Sequence, residues 1–310
     1  MTALERLTRQ NFGALPVTCT DGAWGTELQA LGAQPGELTD AWNLSAPDRV
    51  LAVAAAYVDA GAQVILTNTF SSNRVALARH GLDASAAALT REGAEISRRA
   101  AGTRARVFGS IGPTGKLIAL KTIDAATTAA AAAEQAEALA DGGADAIVIE
   151  TQSALEDART ALDAALAACD LPVGVTFSFD SGRQHTRTMM GVSAQQAYEM
   201  ARVAGASFVG ANCGVGIEAT IEVARQFRAC GDSVPVWIKG NAGTPVLGAD
   251  GTTRYDAPVE LYAMHAPALV EAGARFIGGC CGSTPAHIAA LAACLRSVDG
   301  GRDATEGGRV

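Results

Sequence analysis

Short apolar runs alternate along the chain with longer stretches of helical periodicity, and eight such pairs are present. The apolar runs predict strands over residues 17–21, 63–68, 106–111, 145–150, 172–179, 207–212, 234–239 and 275–279. The helical patterns predict helices over residues 48–60, 84–101, 124–140, 155–168, 194–203, 217–230, 259–272 and 285–296. Regular alternation of strand and helix is typical of a parallel sheet. Eight repeats predict an α/β fold closed into a (β/α)8 TIM barrel, with an open doubly wound sheet as the alternative.

Several predicted helices end in the same way, with a glycine just before the next strand, in DAGAQVIL, DGGADAIVIE, VAGASFVG and EAGARFIG. Glycine tolerates the left-handed conformation of a helix C-cap, and the apolar run after it suits a strand buried on both faces. No change in composition marks an internal boundary, so we expect one domain over residues 1–298. Residues 299–310 lack apolar periodicity, which predicts a disordered tail.

Composition and charge exclude several classes of function. The chain has 310 residues, 49% of them hydrophobic, and a net charge of −8, whereas nucleic-acid binding needs a basic face. No apolar run approaches the ~18–20 residues of a membrane span, and the first residues have no secretory h-region. The seven cysteines are an odd number, so a disulfide framework is not expected. We therefore expect a cytoplasmic protein with neither a nucleic acid nor a membrane as partner.

Three cysteines stand at predicted strand ends beside glycines. Cys280 and Cys281 are adjacent in FIGGCCGSTPAHI, and Cys213 lies in VGANCGVG. Adjacent side chains on a strand point to opposite faces, so one metal could take both only where the strand ends and the backbone turns. Three thiolates without a fourth cysteine predict an open zinc site, with buried packing or a vicinal disulfide as alternatives. The other cysteines lie inside apolar patterns and are interpreted as packing residues: Cys19, Cys169, Cys230 and Cys294.

Two carboxylates are expected at the C-terminal mouth of the barrel, where active sites of this fold lie. Asp21 opens the loop DGAWGTE, and Glu150 ends the fourth strand. They could act as a general acid and base, or bind a cation such as a substrate ammonium. In the structural alternative, Asp21 caps its own turn and Glu150 is paired inside the barrel. The backbone amides of Gly22, Ala23 and Gly25 could bind a carboxylate as an anion nest, which together with an ammonium site would form an amino-acid clamp.

Taken together, these motifs resemble the homocysteine S-methyltransferase family, which includes the homocysteine module of cobalamin-dependent methionine synthase and betaine–homocysteine methyltransferase. The resemblance runs from about Thr20 to Leu295 and is carried by DGAWGTE, ILTNTF, SIGPTGKL, IVIET, GANCGVG, GNAG and GGCCGSTPAHI.

The resemblance implies a role for each matching residue. It implies that Zn2+ is held by Cys213, Cys280 and Cys281, with Asn241 as a candidate fourth ligand when substrate is absent. It also implies that the homocysteine amino group meets Asp21 and Glu150, and that the carboxylate meets the loop containing Gly22 and Thr26.

The implied reaction is methyl transfer to homocysteine, giving methionine. The donor is left open between betaine, methylcobalamin carried by a separate corrinoid protein, and S-methylmethionine, and the oligomeric state between a monomer and a homo-oligomer. A betaine donor would call for an aromatic cage, to which Trp24, Trp42 and Phe70 could contribute from mouth-side loops. The alternative is a barrel lyase or aldolase in which Asp21 and Glu150 are acid and base, the cysteines are structural, and Lys239 is the one lysine placed to form a Schiff base.

Overall fold

Eight parallel strands form a barrel in the computed structural model, which describes residues 4–247, 253–255 and 257–306. The strands, in chain order, are β1 (Thr18–Cys19), β2 (Val64–Leu66), β3 (Arg106–Ile111), β4 (Ala146–Gln152), β5 (Val173–Phe177), β6 (Val209–Gly216), β7 (Val236–Asn241), β8 (Val246–Leu247), β9 (Thr253–Arg254) and β10 (Ala274–Gly279). Strands β8 and β9 form a separate antiparallel ribbon. The others pair in the order β1-β10-β7-β6-β5-β4-β3-β2.

The sheet closes between its first and last strands. Gln63 N donates to Cys19 O over 2.8 Å, and Asp21 N donates to Val64 O over 3.0 Å. These two hydrogen bonds join β1 to β2, so the edges of the sheet meet. The predicted (β/α)8 barrel is confirmed, and the open doubly wound alternative is wrong.

The helices lie between the strands, as the sequence predicts. They are α1 (Gly25–Ala30), α2 (Trp42–Ser45), α3 (Pro47–Asp59), α4 (Arg74–Leu77), α5 (Ala86–Ala101), α6 (Ala125–Asp141), α7 (Leu155–Ala168), α8 (Ala194–Ala204), α9 (Ile217–Cys230), α10 (Leu261–Glu271) and α11 (Pro285–Glu306). Single 3-10 turns occur at Phe12–Ala14, Thr39–Ala41, Ala78–His80 and Asp83–Ser85. The glycines predicted at helix ends do adopt positive φ: Gly61, Gly143, Gly205 and Gly273.

The structure differs from the predicted elements at the last helix, at the β8–β9 ribbon and at three short helices. The last helix continues to Glu306, into the segment predicted to be a disordered tail, and residues 307–310 of that segment lie outside the described residues. The β8–β9 ribbon and the short helices α1, α2 and α4 have no counterpart among the predicted elements. These pieces are too short to show a periodic pattern of apolar residues.

An aromatic core fills the end of the barrel opposite the mouth. The rings of Phe108, Phe208, Trp237 and Phe276 are buried and lie within 6.2 Å of one another, centroid to centroid. Phe12, from the chain segment before β1, stacks on Phe208 at 5.2 Å and is 1% exposed. This segment therefore plugs the bottom of the barrel.

Strands β4 and β7 change from apolar to polar toward the mouth. Side chains two residues apart on a strand point the same way, so Glu150 follows Val148 into the interior and Lys239 follows Trp237. Both charged residues are buried above the aromatic core. Among the residues that the structure describes, we find no helix with the length and apolar character needed to cross a membrane.

Candidate active site

The three cysteines predicted at strand ends come together at the mouth of the barrel. The Sγ atom of Cys213 lies 2.7 Å from that of Cys280 and 3.9 Å from that of Cys281, and all three lie within 4.8 Å of one another. Hydrogen bonds to Cys280 and Cys281 raise the pKa of Cys213, whereas the hydrogen bond from Cys213 lowers the pKa of Cys281. The hydrogen bond from Cys213 acts to lower the pKa of Cys280, but contact with Cys281 and burial raise it overall, so of the three thiols only Cys281 is shifted toward the thiolate.

Backbone turns aim these thiols at one point. Cys213 has a φ of 57°, in the left-handed region, and Gly214 follows with 69°. The pairing of β6 with β7 shifts register between Cys213 and Gly216, so the strand bends at the cysteine. Strand β10 ends at Gly279, and Gly282 turns the chain after the cysteine pair with a φ of 80°. As predicted, adjacent cysteines reach one site because their strand has already ended.

Asn241 gives an independent sign that a metal fits this cluster. Cys280 N donates to Gly240 O over 2.7 Å and Ala242 N to Cys281 O over 2.9 Å, so the backbone around Asn241 runs alongside the cysteine pair. Asn241 Nδ2 donates to Gly214 O, but its Oδ1 is buried with no hydrogen-bond partner among the described residues. A buried oxygen without a donor costs stability unless a ligand meets it. Three thiols suit zinc, and this oxygen is the candidate for a further ligand.

Asp21 lies beneath the cavity and is already fully paired. One carboxylate oxygen accepts from Lys239 Nζ, and the other accepts from Trp24 Nε1 at 2.8 Å and from the backbone N of Leu66 at 2.7 Å. The side chain is fully buried. Both oxygens of the Asp21 carboxylate are therefore engaged by groups of the protein.

Glu150 lines the cavity, and no cationic side chain among the described residues contacts its carboxylate. Ser110 Oγ donates to its Oε1, and Asn212 Nδ2 donates to its Oε2 over 3.3 Å. Burial raises the pKa of Glu150 to about 7, although the nearby charge of Lys239 acts in the opposite direction. A positively charged partner in contact would therefore favour the ionised carboxylate.

The loop after β1 packs too closely to form the whole nest that the sequence predicts. A Cβ atom on Gly22 would lie 2.7 Å from Ser283 Oγ and from the Tyr57 hydroxyl, so this position requires glycine. Ala23 N donates to Ser283 Oγ over 3.0 Å and is not available to a ligand. Thr26 Oγ1 is buried, lines the cavity and has no partner among the described residues. In this loop, the hydroxyl of Thr26 is therefore available for a hydrogen bond to a ligand in the cavity.

The cavity beside the cysteines has a volume of about 390 Å³. Trp24, Phe70 and Tyr255 contribute aromatic walls, whereas Trp42 packs away from the cavity, with its Nε1 donating to Glu37 and Arg49 over its ring. Tyr255 follows the β8–β9 ribbon, which the sequence patterns do not reveal. The sequence analysis also does not identify Ser110 and Asn212, which donate hydrogen bonds to Glu150. Each is a polar residue within an apolar strand, and this pattern could have indicated them.

Comparisons with known proteins identify the family of the chain. The family model described as homocysteine S-methyltransferase matches residues 18–295. The chain belongs to this family. It is 32% identical to methionine synthase from Mycobacterium tuberculosis (strain ATCC 25618 / H37Rv) over 296 residues, which are 90% of this chain and 24% of that protein. The chain thus spans about a quarter of the length of this curated relative.

Solved structures of the homocysteine methyltransferase MmuM from Escherichia coli also match. The oxidised form has a TM-score of 0.75 at 25% identity, covering 89% of this chain and 95% of that one. The metallated form has a TM-score of 0.73 at 26% identity, covering 89% and 96%. The predicted family, barrel and enzyme class, a methyltransferase, are confirmed. The lyase alternative loses its support, because Lys239 is ion-paired and the family is one of methyltransferases.

Proposed function

We propose that this protein is a zinc-dependent homocysteine S-methyltransferase that makes methionine. The observation that carries the proposal is the convergence of Cys213, Cys280 and Cys281 beside a cavity that also presents Glu150 and Thr26. A thiol substrate with an amino-acid end would place its sulfur at the cysteine cluster and its charged groups among these polar side chains.

The residues of the chain have distinct tasks in this proposal. Glu150 binds the substrate ammonium, and the loop containing Gly22 and Thr26 receives the carboxylate. Asp21 positions Lys239 and Trp24 instead of touching the substrate. The substrate thiol releases its proton to solvent, and its sulfur forms a bond to the methyl carbon. The bond between that carbon and the donor breaks, and its electron pair leaves with the demethylated donor. Holding both reactants in one cavity lowers the entropic cost of aligning the substrate sulfur with the methyl group of the donor.

Zinc held by the three thiolates, with Asn241 as a candidate further ligand, would supply the charge that stabilises a substrate thiolate at neutral pH. Cys213, Cys280 and Cys281 would hold the metal beside the cavity that receives the substrate. Because two strands and a bent backbone fix these thiols, their directions are set before the substrate arrives.

The cavity favours a small cationic donor. Its volume of about 390 Å³ is near the lower end of the range for small-molecule sites, which suits homocysteine and one compact donor. Trp24, Phe70 and Tyr255 offer ring faces to a quaternary ammonium or a sulfonium, as in betaine or S-methylmethionine. A corrinoid partner would have to present its methyl group from outside the mouth.

The direct test is methionine formation by zinc-loaded protein given homocysteine and either betaine, S-methylmethionine or methylcobalamin. We expect turnover with one of the two onium donors. Cys280→Ala should abolish it, whereas Cys230→Ala, which changes an exposed cysteine outside the cluster, should leave it intact. Turnover with methylcobalamin but with neither onium compound would indicate that the natural donor is a methyl group carried by a corrinoid protein. Equal activity of Cys280→Ala and wild type would refute the zinc site.

A further inference from the structure

We propose that Lys239 binds the α-carboxylate of the amino-acid substrate, so that the two charges of the substrate are held by Lys239 and Glu150. This role rests on the proposed function and assigns a recognition residue within the same cavity. It replaces the clamp built on Asp21 that the sequence predicts.

The position of Lys239 in the barrel makes it a cavity residue. It lies on β7 opposite Asn212 of β6 and Gly278 of β10, and its side chain rises from the layer above Trp237. The residue is 2% exposed, yet it lines the cavity together with Glu150 and Cys280. Its neighbours on β10 are glycines, so no side chain from that strand separates its ammonium from the ligand space.

The ammonium group has more donors than the protein uses. A lysine carries three N–H donors. Among the described residues, the one hydrogen-bond acceptor of Lys239 Nζ is Asp21 Oδ1. A buried charged group with unused donors beside a cavity is suited to an anion that enters from solvent.

The charges in the cavity determine where the ammonium and the carboxylate of the substrate bind. Asp21 is neutralised by Lys239 and also holds Trp24 Nε1 and Leu66 N. A substrate ammonium that displaced Lys239 would leave that lysine buried without its partner, which is strongly unfavourable. In the part of the chain that the structure describes, Glu150 has no such cation in contact, so the substrate ammonium binds to Glu150. The carboxylate then lies between Lys239 and Thr26, since Ala23 N is already bonded to Ser283.

Three thiols of matched shape test this assignment in binding to zinc-loaded protein, measured by titration calorimetry. They are homocysteine, aminopropanethiol, which lacks the carboxylate, and γ-mercaptobutyrate, which lacks the amino group. For Lys239→Met we expect a loss of roughly 10- to 100-fold for homocysteine and γ-mercaptobutyrate, as for other buried charge-assisted contacts. Binding of aminopropanethiol should be unchanged. Glu150→Gln should show the reverse pattern, with γ-mercaptobutyrate unaffected.

Controls separate recognition from folding. Lys116→Met changes an exposed lysine outside the cavity and should bind all three thiols like wild type. If Lys239→Met unfolds because Asp21 is left unpaired, the double variant Asp21→Asn/Lys239→Met removes both charges and should show the same selective loss. Equal loss for all three thiols would mean that Lys239 acts only through structure, and no loss for homocysteine would also overturn the assignment. Wild-type protein that binds none of the thiols would instead refute the proposed function, and the Lys239 assignment with it.

Discussion

Glu150 should make homocysteine binding depend on pH, because burial raises the pKa of its carboxyl group to about 7 in the protein without substrate. As the pH falls through this value the carboxylate takes up a proton and loses its charge, so its attraction for an ammonium weakens. We expect the Kd for homocysteine to rise as the pH is lowered from about 8 to about 6, beyond the change caused by the thiol itself. Titration calorimetry at a series of pH values measures this rise.

Glu150→Gln provides the reference for that measurement. It keeps the shape of the side chain but cannot ionise, so homocysteine affinity should fall by roughly 10- to 100-fold at pH 8. The difference in affinity between variant and wild type should shrink toward pH 6. Glu271→Gln, a change on the exposed end of α10, should follow the wild-type curve. A constant difference at every pH would show that the charge of Glu150 is not what binds the substrate.

At the scale of residues, the sequence predicts the cysteine cluster better than the charged pair beneath it. Cys213, Cys280 and Cys281 stand out because thiols next to glycines at strand ends have few other interpretations. The pairing of Asp21 with Lys239 leaves no local signal, since the two residues are 218 positions apart. Their contact depends on closure of the barrel and on which strands become neighbours through it.

At the scale of elements, the agreement between prediction and structure follows the length of the pattern. Helices α7 and α9 begin and end where predicted, because each has several turns of apolar periodicity and a clear end. The β8–β9 ribbon and the turn at Phe12–Ala14 are two or three residues per element, too short for a period to show. Such short elements are stabilised by tertiary contacts, which cannot be predicted from the secondary-structure propensity of their residues.

The segment before β1 gives a prediction at this scale. Phe12 fills the bottom of the barrel against Phe108, Phe208 and Phe276, with ring centroids 5.2 to 5.9 Å away. Phe12→Ala should lower the free energy of unfolding by about 3–5 kcal/mol, since it leaves a cavity in a rigid aromatic layer. Chemical denaturation followed by circular dichroism measures the loss.

Phe12→Ala also tests whether the bottom of the barrel contributes to stability without contributing to substrate binding. The Phe12 plug and the cysteine cluster lie at opposite ends of the barrel, so folded Phe12→Ala protein should bind homocysteine like wild type. Leu4→Ala, in the same segment but on an exposed side chain, should change the free energy of unfolding by less than about 0.5 kcal/mol. If Phe12→Ala were as stable as wild type, the plug would not be part of the core.

At the scale of the whole molecule, the cysteine cluster ties together strands that are distant in sequence. Cys213 belongs to β6 and the other two cysteines follow β10, with β7 between them in the sheet. A metal that binds this arrangement in the folded chain stabilises it, by about 2.7 kcal/mol at a concentration a hundred times Kd. Zinc should therefore raise the Tm of apo protein by several degrees, which differential scanning calorimetry with and without added zinc would detect.

The pattern across variants decides whether that shift comes from the proposed site. Cys230→Ala should keep the zinc-dependent rise in Tm, because Cys230 is exposed at the end of α9 and outside the cluster. Cys280→Ala should lose it, since two thiols no longer provide the three anionic ligands that hold the metal. Asn241→Ala should reduce the rise if its unpartnered Oδ1 serves as a ligand. The same rise in Cys280→Ala as in wild type would place the stabilising zinc elsewhere on the protein. A rise that depends on Cys280 would show that the residues proposed for chemistry also hold the mouth of the barrel together.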